Sequence, residues 1–265
     1  MEFIEIAGYV ASLLIGISLG LIGGGGSILT VPILVYLLGA EASEYAPAYS
    51  LFIVGATALV GGVQKYREGF VDIKTFLVFG IPAIISVYIT RGLIVPAIPE
   101  NMALFGFTLS KRLLVMGIFA ILMLAAAISM IRDRKDKGQE GPVTYNYPLI
   151  LLEGLVVGLF TGLVGAGGGF LIIPALVKLS NLSMKKAVGT SLFIIAAKSL
   201  IGFTGDVMRL DIDWQLLGIV TVLAVAGIFI GNALSRKVPG HKLKTGFGWF
   251  VLAMGAYIFT KELLI

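Results

Sequence analysis

The residues able to do chemistry in this chain are few, and most of them donate hydrogen bonds. Two glycine-rich runs, GLIGGGGSILTVP at 20–32 and GLVGAGGGFLIIP at 162–174, interrupt apolar sequence. Glycine costs more than any ordinary residue except proline inside a helix. Each run precedes a short apolar stretch with helical character, so each marks the start of a helix. The first N–H groups of a helix have no partner within it and carry the positive end of its dipole. Glycine leaves such groups bare, so they can converge on an anion. Gly23, Gly24, Gly25 and Gly26, and Gly165, Gly167, Gly168 and Gly169, are therefore candidate anion-binding residues. Close helix packing is the competing use of glycine in an apolar chain.

Hydroxyls and one cation stand nearby in sequence. Ser27 is placed to cap the first short helix, and Gly169 replaces it in the second run. Ser50, Thr190 and Ser191 open later helices and could either coordinate oxyanion oxygens or bond between helices. Lys198 lies in SLFIIAAKSLIGF, ~18 Å along a helix from Lys186. An ionisable group at that depth is a functional-site candidate, here a point charge for an anion. The alternative is that Lys198 snorkels toward Asp206. Gln64 is a weaker polar candidate. Glu153 either snorkels to the surface or titrates during function. Arg91 reads as an interfacial anchor or a gate charge. Asp72 and Asp213 read as helix N-caps.

The same inventory excludes a great deal. The chain has no cysteine and a single histidine, His241, among lysines. Thiolate chemistry, disulfides and a metal centre are not expected. No paired carboxylates or nucleophile–base set lies in the apolar segments, so an enzyme is not expected either. There is no GKS or GKT for a P-loop, and Ile28 and Phe170 break the G-x-G-x-x-G pattern. No cofactor is implied.

These residues must be held by membrane-spanning helices. Of 265 residues, 58% are hydrophobic and only 13% charged, against about 25% charged in soluble domains. Mean hydropathy is +1.00. A span needs about 20 apolar residues, and stretches such as 108–131 and 214–234 supply them. The N-terminal MEFIEIAGYV has no Lys or Arg before its apolar run and reads as the first membrane element, not a signal peptide. The net charge of +5 reflects loop bias and not a nucleic-acid partner.

The chain is built twice. Gly20 aligns with Gly162, Gly23 with Gly165 and Pro32 with Pro174. After a one-residue gap, Ser50-Leu51-Phe52-Ile53 aligns with Ser191-Leu192-Phe193-Ile194, Gly61 with Gly202, and Asp72 with Asp213. This predicts a repeat over 1–131, a charged linker over 132–147, and a second repeat over 148–265. Apolar elements are expected at 4–22, 27–38, 46–64, 73–95 and 108–131, then at 148–164, 168–179, 187–205, 214–234 and 245–263. The second element of each repeat is too short to span and reads as half of a broken or re-entrant hairpin.

Basic residues then orient the copies. Lys65, Arg67 and Lys74 follow the third element of the first repeat, whereas only Arg209 lies at the matching loop. Lys178, Lys185 and Lys186 flank a loop whose first-repeat counterpart, 39–45, has none. The bias changes sign between repeats. The positive-inside rule puts loops 65–74, 132–147, 178–186 and 235–244 in the cytoplasm and both termini outside. The expected fold class is an all-α polytopic membrane protein with two inverted-topology repeats. Each repeat is a broken, Gly-rich hairpin plus three transmembrane helices, a design shared by many transporters.

GLIGGGGSILTVPIL and GLVGAGGGFLIIPAL, each followed by an SLF segment, resemble the sulfite exporter TauE/SafE family over essentially the whole chain. The resemblance implies a multi-pass permease of the prokaryotic plasma membrane. It implies a small sulfur-containing anion as substrate: sulfite, sulfoacetate or another sulfonate. A related thiosulfate-uptake group is thought to depend on cysteines, which this chain lacks. The expected function is alternating-access transport with the anion held between the two glycine segments. A passive small-anion channel on the same scaffold is the alternative. A coupling ion (proton or sodium), the direction of transport and homo-oligomerisation stay open at this point.

Overall fold

The computed structural model describes residues 3–41, 44–104, 107–132, 147–179, 182–235 and 240–264. Helix α1 (Phe3–Ile22) runs into a 3-10 helix (Gly23–Leu29), which continues as the short α2 (Thr30–Tyr36). Then come α3 (Tyr45–Arg67) and α4 (Ile73–Ile89), the latter extended by a π turn (Thr90–Ile94) and α5 (Val95–Ala97). A hairpin of β1 (Asn101–Leu104) and β2 (Phe107–Ser110) leads to α6 (Lys111–Arg132). The second half comprises α7 (Tyr147–Val164), α8 (Gly169–Leu179), α9 (Met184–Val207), α10 (Trp214–Ser235) and α11 (Gly240–Leu264). The protein is an all-α polytopic membrane protein. Among the described residues, six helices are long and apolar enough to cross a membrane.

Local chemistry sets the boundaries. Asp72 Oδ1 accepts from Thr75 N–H at 2.7 Å, and Asp213 Oδ1 accepts from Leu216 N–H at 2.9 Å, so both aspartates cap as expected. Pro47 and Pro148 fall in the first turns of α3 and α7, where a missing N–H costs nothing. The β hairpin falls between the elements expected at 73–95 and 108–131, its alternation too short to register as a strand pattern, and α6 starts only at Lys111.

Apolar faces decide the packing. Helices α3 and α9 form the centre and are the most buried of the six spans. They run antiparallel: Gly55 meets Leu200 and Gly62 meets Phe193. Helices α6 and α11 also pair antiparallel, with Gly255 against Met123 and Leu124 and Arg112 bonded to Glu262. In contrast α1 runs parallel to α10, and α4 parallel to α7, each pair joined through small residues.

Contacts repeat from one half to the other. A Cβ on Gly16 would strike Ala224 O, and one on Gly158 would strike Ala83 O. The repeat alignment pairs Gly16 with Gly158, and Ala224 with Ala83. Likewise Tyr49 O–H stands 2.9 Å from Asp213 N as its acceptor, while Thr190 Oγ1 accepts from Asp72 N–H at 2.9 Å. Tyr49 and Thr190 occupy matching positions, as do the two aspartates.

Candidate functional site

The two glycine segments meet. A Cβ on Gly169 would lie 2.1 Å from Gly24 Cα, and one on Gly24 would lie 2.4 Å from Gly169 Cα. Only bare backbones can cross so closely. Each segment also rests on the central helix of the opposite half. Gly23 and Gly24 lie against Val188 and Ile195 of α9, and Gly165 and Gly167 against Pro47 and Val54 of α3. Val188 matches Pro47 in the repeat alignment, and Ile195 matches Val54.

The two segments differ in conformation. In the second, Gly165, Gly167 and Gly168 have φ of 76°, 65° and 61° and form an open break before α8. In the first, Gly23 alone has a positive φ, of 68°, and the run continues as 3-10 helix. The expectation of a bare break in both copies is therefore corrected: Gly24, Gly25 and Gly26 are helical. Ser27 is corrected as well. Its buried Oγ donates back to Gly24 O at 2.8 Å and caps no helix. Gly167 lies against its side chain.

Lys198 reaches this crossing from α9. It is fully buried, and its Nζ donates to Thr161 Oγ1 at 2.9 Å. Thr161 is held in turn by donating to Val157 O at 2.5 Å. Gly168 closes over both, since a Cβ there would sit 2.1 Å from Thr161 Oγ1 and 2.9 Å from Lys198 Nζ. An ammonium has three hydrogens to donate. No carboxylate pairs with Lys198 among the described residues. It does not snorkel to Asp206, which is otherwise engaged. A cavity of about 10 Å³ is lined by Thr161 and Gly168, with Leu122, Val164 and Ala166 among others, and Lys198 does not reach it. Its volume is near the minimum that admits one water.

A family model, sulfite exporter TauE/SafE, matches residues 9–258. The chain belongs to the sulfite exporter TauE/SafE family. It is a multi-pass membrane transporter and not an enzyme. A "probable membrane transporter protein" of Xylella fastidiosa is 27% identical over 92% of this chain and 91% of its own length. A Bacillus subtilis "probable membrane transporter protein", YdhB, is 27% identical over 88% of this chain and 91% of its own. One from Methanocaldococcus jannaschii, MJ0441, is 24% identical over 94% and 93%. No solved structure matches the chain significantly.

Other candidate residues of this TauE/SafE chain divide sharply. Ser50 is fully buried at the start of α3, and its Oγ has no hydrogen-bond partner. Thr190 Oγ1 serves the α4 cap, and Ser191 Oγ donates to Val188 O at 2.8 Å, so both hydroxyls are used within the fold. Gln64 Oε1 accepts from Asn232 Nδ2 at 2.8 Å. Glu153 is half-buried, with Oε2 shielded and unpartnered.

Arg91 is the largest revision. It is fully buried in the π turn and is no interfacial anchor. Its Nε donates to Asp206 at 2.6 Å, and Arg209 bonds the other oxygen of Asp206 at 3.1 Å. Arg91 also donates to Gly162 O and Glu44 O, each at 3.4 Å. Lys111 pairs with Glu44, so the cluster ties α3, α4, α6, α7 and α9 together. At the position matching Arg91 stands Asn232, whose bond to Gln64 is a neutral counterpart near the end of α3. Sequence reasoning missed Thr161 and Ser199 because a threonine or serine in an apolar helix carries no signal of its own, whereas the repeat alignment pairs Thr57 with Lys198.

Proposed function

We propose that this protein is a permease of the prokaryotic plasma membrane that carries a small sulfur-containing anion, such as sulfite, sulfoacetate or another sulfonate, by alternating access. The anion sits where the glycine segments cross, with Lys198 as its counter-charge and the N-terminal N–H groups of α8 as further donors. Thr161 and Ser50 add hydroxyls.

Lys198 carries this reading. A buried charge without a partner is expensive. Every other fully buried cation among the described residues, Arg91 and Lys111, has a carboxylate in contact. A lysine left without one, beside an open glycine break and a helix N-terminus, is complementary to a transient anion.

Gly168 closes over Thr161 and Lys198, which supports a carrier over an open channel. An oxyanion is larger than a water molecule, so loading requires the glycine segment to withdraw from Lys198. The antiparallel course of α3 and α9 and the duplicated contacts support two inverted repeats, 1–131 and 148–265, whose relative rocking would supply that motion. Both termini then face outside. Purified protein in liposomes should move labelled sulfite or a sulfonate at carrier rates, and Lys198→Met should abolish that flux while keeping the fold. Absence of flux and binding for the whole set of anions, or unaltered flux in Lys198→Met, refutes the proposal. Planar-bilayer currents above carrier turnover would favour the channel.

A further inference from the structure

We infer that, among the anions of the carrier reading above, on which this rests, the site selects those carrying a single negative charge, such as hydrogensulfite and simple sulfonates, and rejects dianions of similar size, sulfoacetate included. The inference comes from counting charge around Lys198. Its ammonium is the single cation at the crossing among the described residues, and the groups against it are neutral: Thr161 Oγ1 and the backbone of Gly168. The register of α3 against α9, fixed where Gly55 meets Leu200 and Gly62 meets Phe193, sets Thr57 level with Lys198. Thr57 and Ser199 are fully buried, and their hydroxyl oxygens have no hydrogen-bond partner.

Other charges are committed or distant. Arg91, on the π turn that packs on α9, is neutralised by Asp206. Lys65, near the end of α3, pairs with Glu68 at 3.0 Å. Glu153 of α7 lies eight residues from Thr161, ~12 Å along the helix, and would repel a second negative charge. Helix N-terminal N–H groups and hydroxyls add only partial positive charge. A monoanion therefore brings the loaded crossing to neutrality. A dianion leaves a net negative charge buried without compensation, which is strongly unfavourable.

Thr57 occupies the position that matches Lys198 in the first repeat. The second repeat has a cation there and the first has a hydroxyl, so one half of the protein sets the charge of the cargo.

The test is transport by the full chain in liposomes at one pH. Methanesulfonate is a fixed monoanion and sulfate a fixed dianion of related shape. Methanesulfonate should enter at least about tenfold faster than sulfate. Sulfite flux, normalised to its total concentration, should rise as pH falls and its singly protonated form grows. Thr57→Lys should shift the preference toward sulfate if the protein folds. Sulfate moving as fast as methanesulfonate in the wild-type protein overturns the inference, and this comparison does not depend on the variant. No movement of any of these anions overturns the carrier reading instead.

Discussion

Replacing Gly169 with alanine adds one methyl group where the two glycine backbones cross. Its Cβ would lie 2.1, 2.2 and 2.3 Å from Gly24 Cα, O and C, all backbone atoms with no rotamer to change. Ordinary contact begins near 3.4 Å, so the segments must part by about 1.3 Å. Gly169 does not have a positive φ, so alanine is not strained there and the cost is steric alone. Overpacking typically costs 1–3 kcal/mol, and with backbone on both sides we expect about 3 kcal/mol. Gly218, within α10, has nothing within 4 Å of a Cβ. Gly218→Ala should therefore stabilise by about 0.5–1 kcal/mol through helix propensity. Thermal unfolding in one detergent reads both. The midpoint of Gly169→Ala should drop by on the order of 5–10 °C while that of Gly218→Ala does not drop. An unchanged midpoint for Gly169→Ala, or equal losses for the two, would refute the close crossing.

Three further outcomes follow from the packing. Asp206→Asn strands the buried guanidinium of Arg91 and should cost about 3–5 kcal/mol, much of it recovered when Arg91→Met is added, as read by unfolding midpoints in a double-mutant cycle. Tyr49→Phe and Thr190→Val each remove the acceptor for a matching aspartate N–H, so both should destabilise by about 1–3 kcal/mol; a loss in only one would contradict the paired roles. Because the chain has no natural cysteine, Ala42→Cys and Ser183→Cys can be labelled from either face of the membrane. They should react from opposite sides, and reaction from the same side contradicts the inverted topology.

Much of the architecture was legible because its signals are compositional. Long apolar runs, glycine breaks and aspartate caps located nearly every helix, with the span expected over 73–95 observed as α4, the π turn and α5 from Ile73 through Ala97. The doubled GLIGGGG and GLVGAGGG runs pointed to a paired feature, because bare helix starts and close packing both call for glycine in an apolar chain. The conformation of each run was not legible. Gly23–Leu29 and Gly165–Gly168 have similar composition, yet one winds as 3-10 helix and the other opens. That choice depends on tertiary neighbours, Ile195 on one side and Thr161 with Lys198 on the other.

Polar partners were legible only when both lay close in sequence. Arg91 and Asp206 are 115 residues apart, and their pairing depends on the approach of α4 to α9. Without that contact, Arg91 looks like any arginine near a helix end and Asp206 looks like a target for Lys198. Lys198 stood out because of its depth, and its burial agrees. Its actual partner, Thr161, sits just before the glycine break, where its hydroxyl can reach both Val157 O and the ammonium.

The central claim is that a sulfur oxyanion binds at Lys198 between the glycine segments. Selenite is a heavier analogue of sulfite whose anomalous scattering can be located directly in crystals. The account predicts one selenium peak within hydrogen-bonding reach of Lys198 Nζ and the start of α8, absent in Lys198→Met. A peak at the Arg91–Asp206 cluster or elsewhere, with none at Lys198, would contradict it.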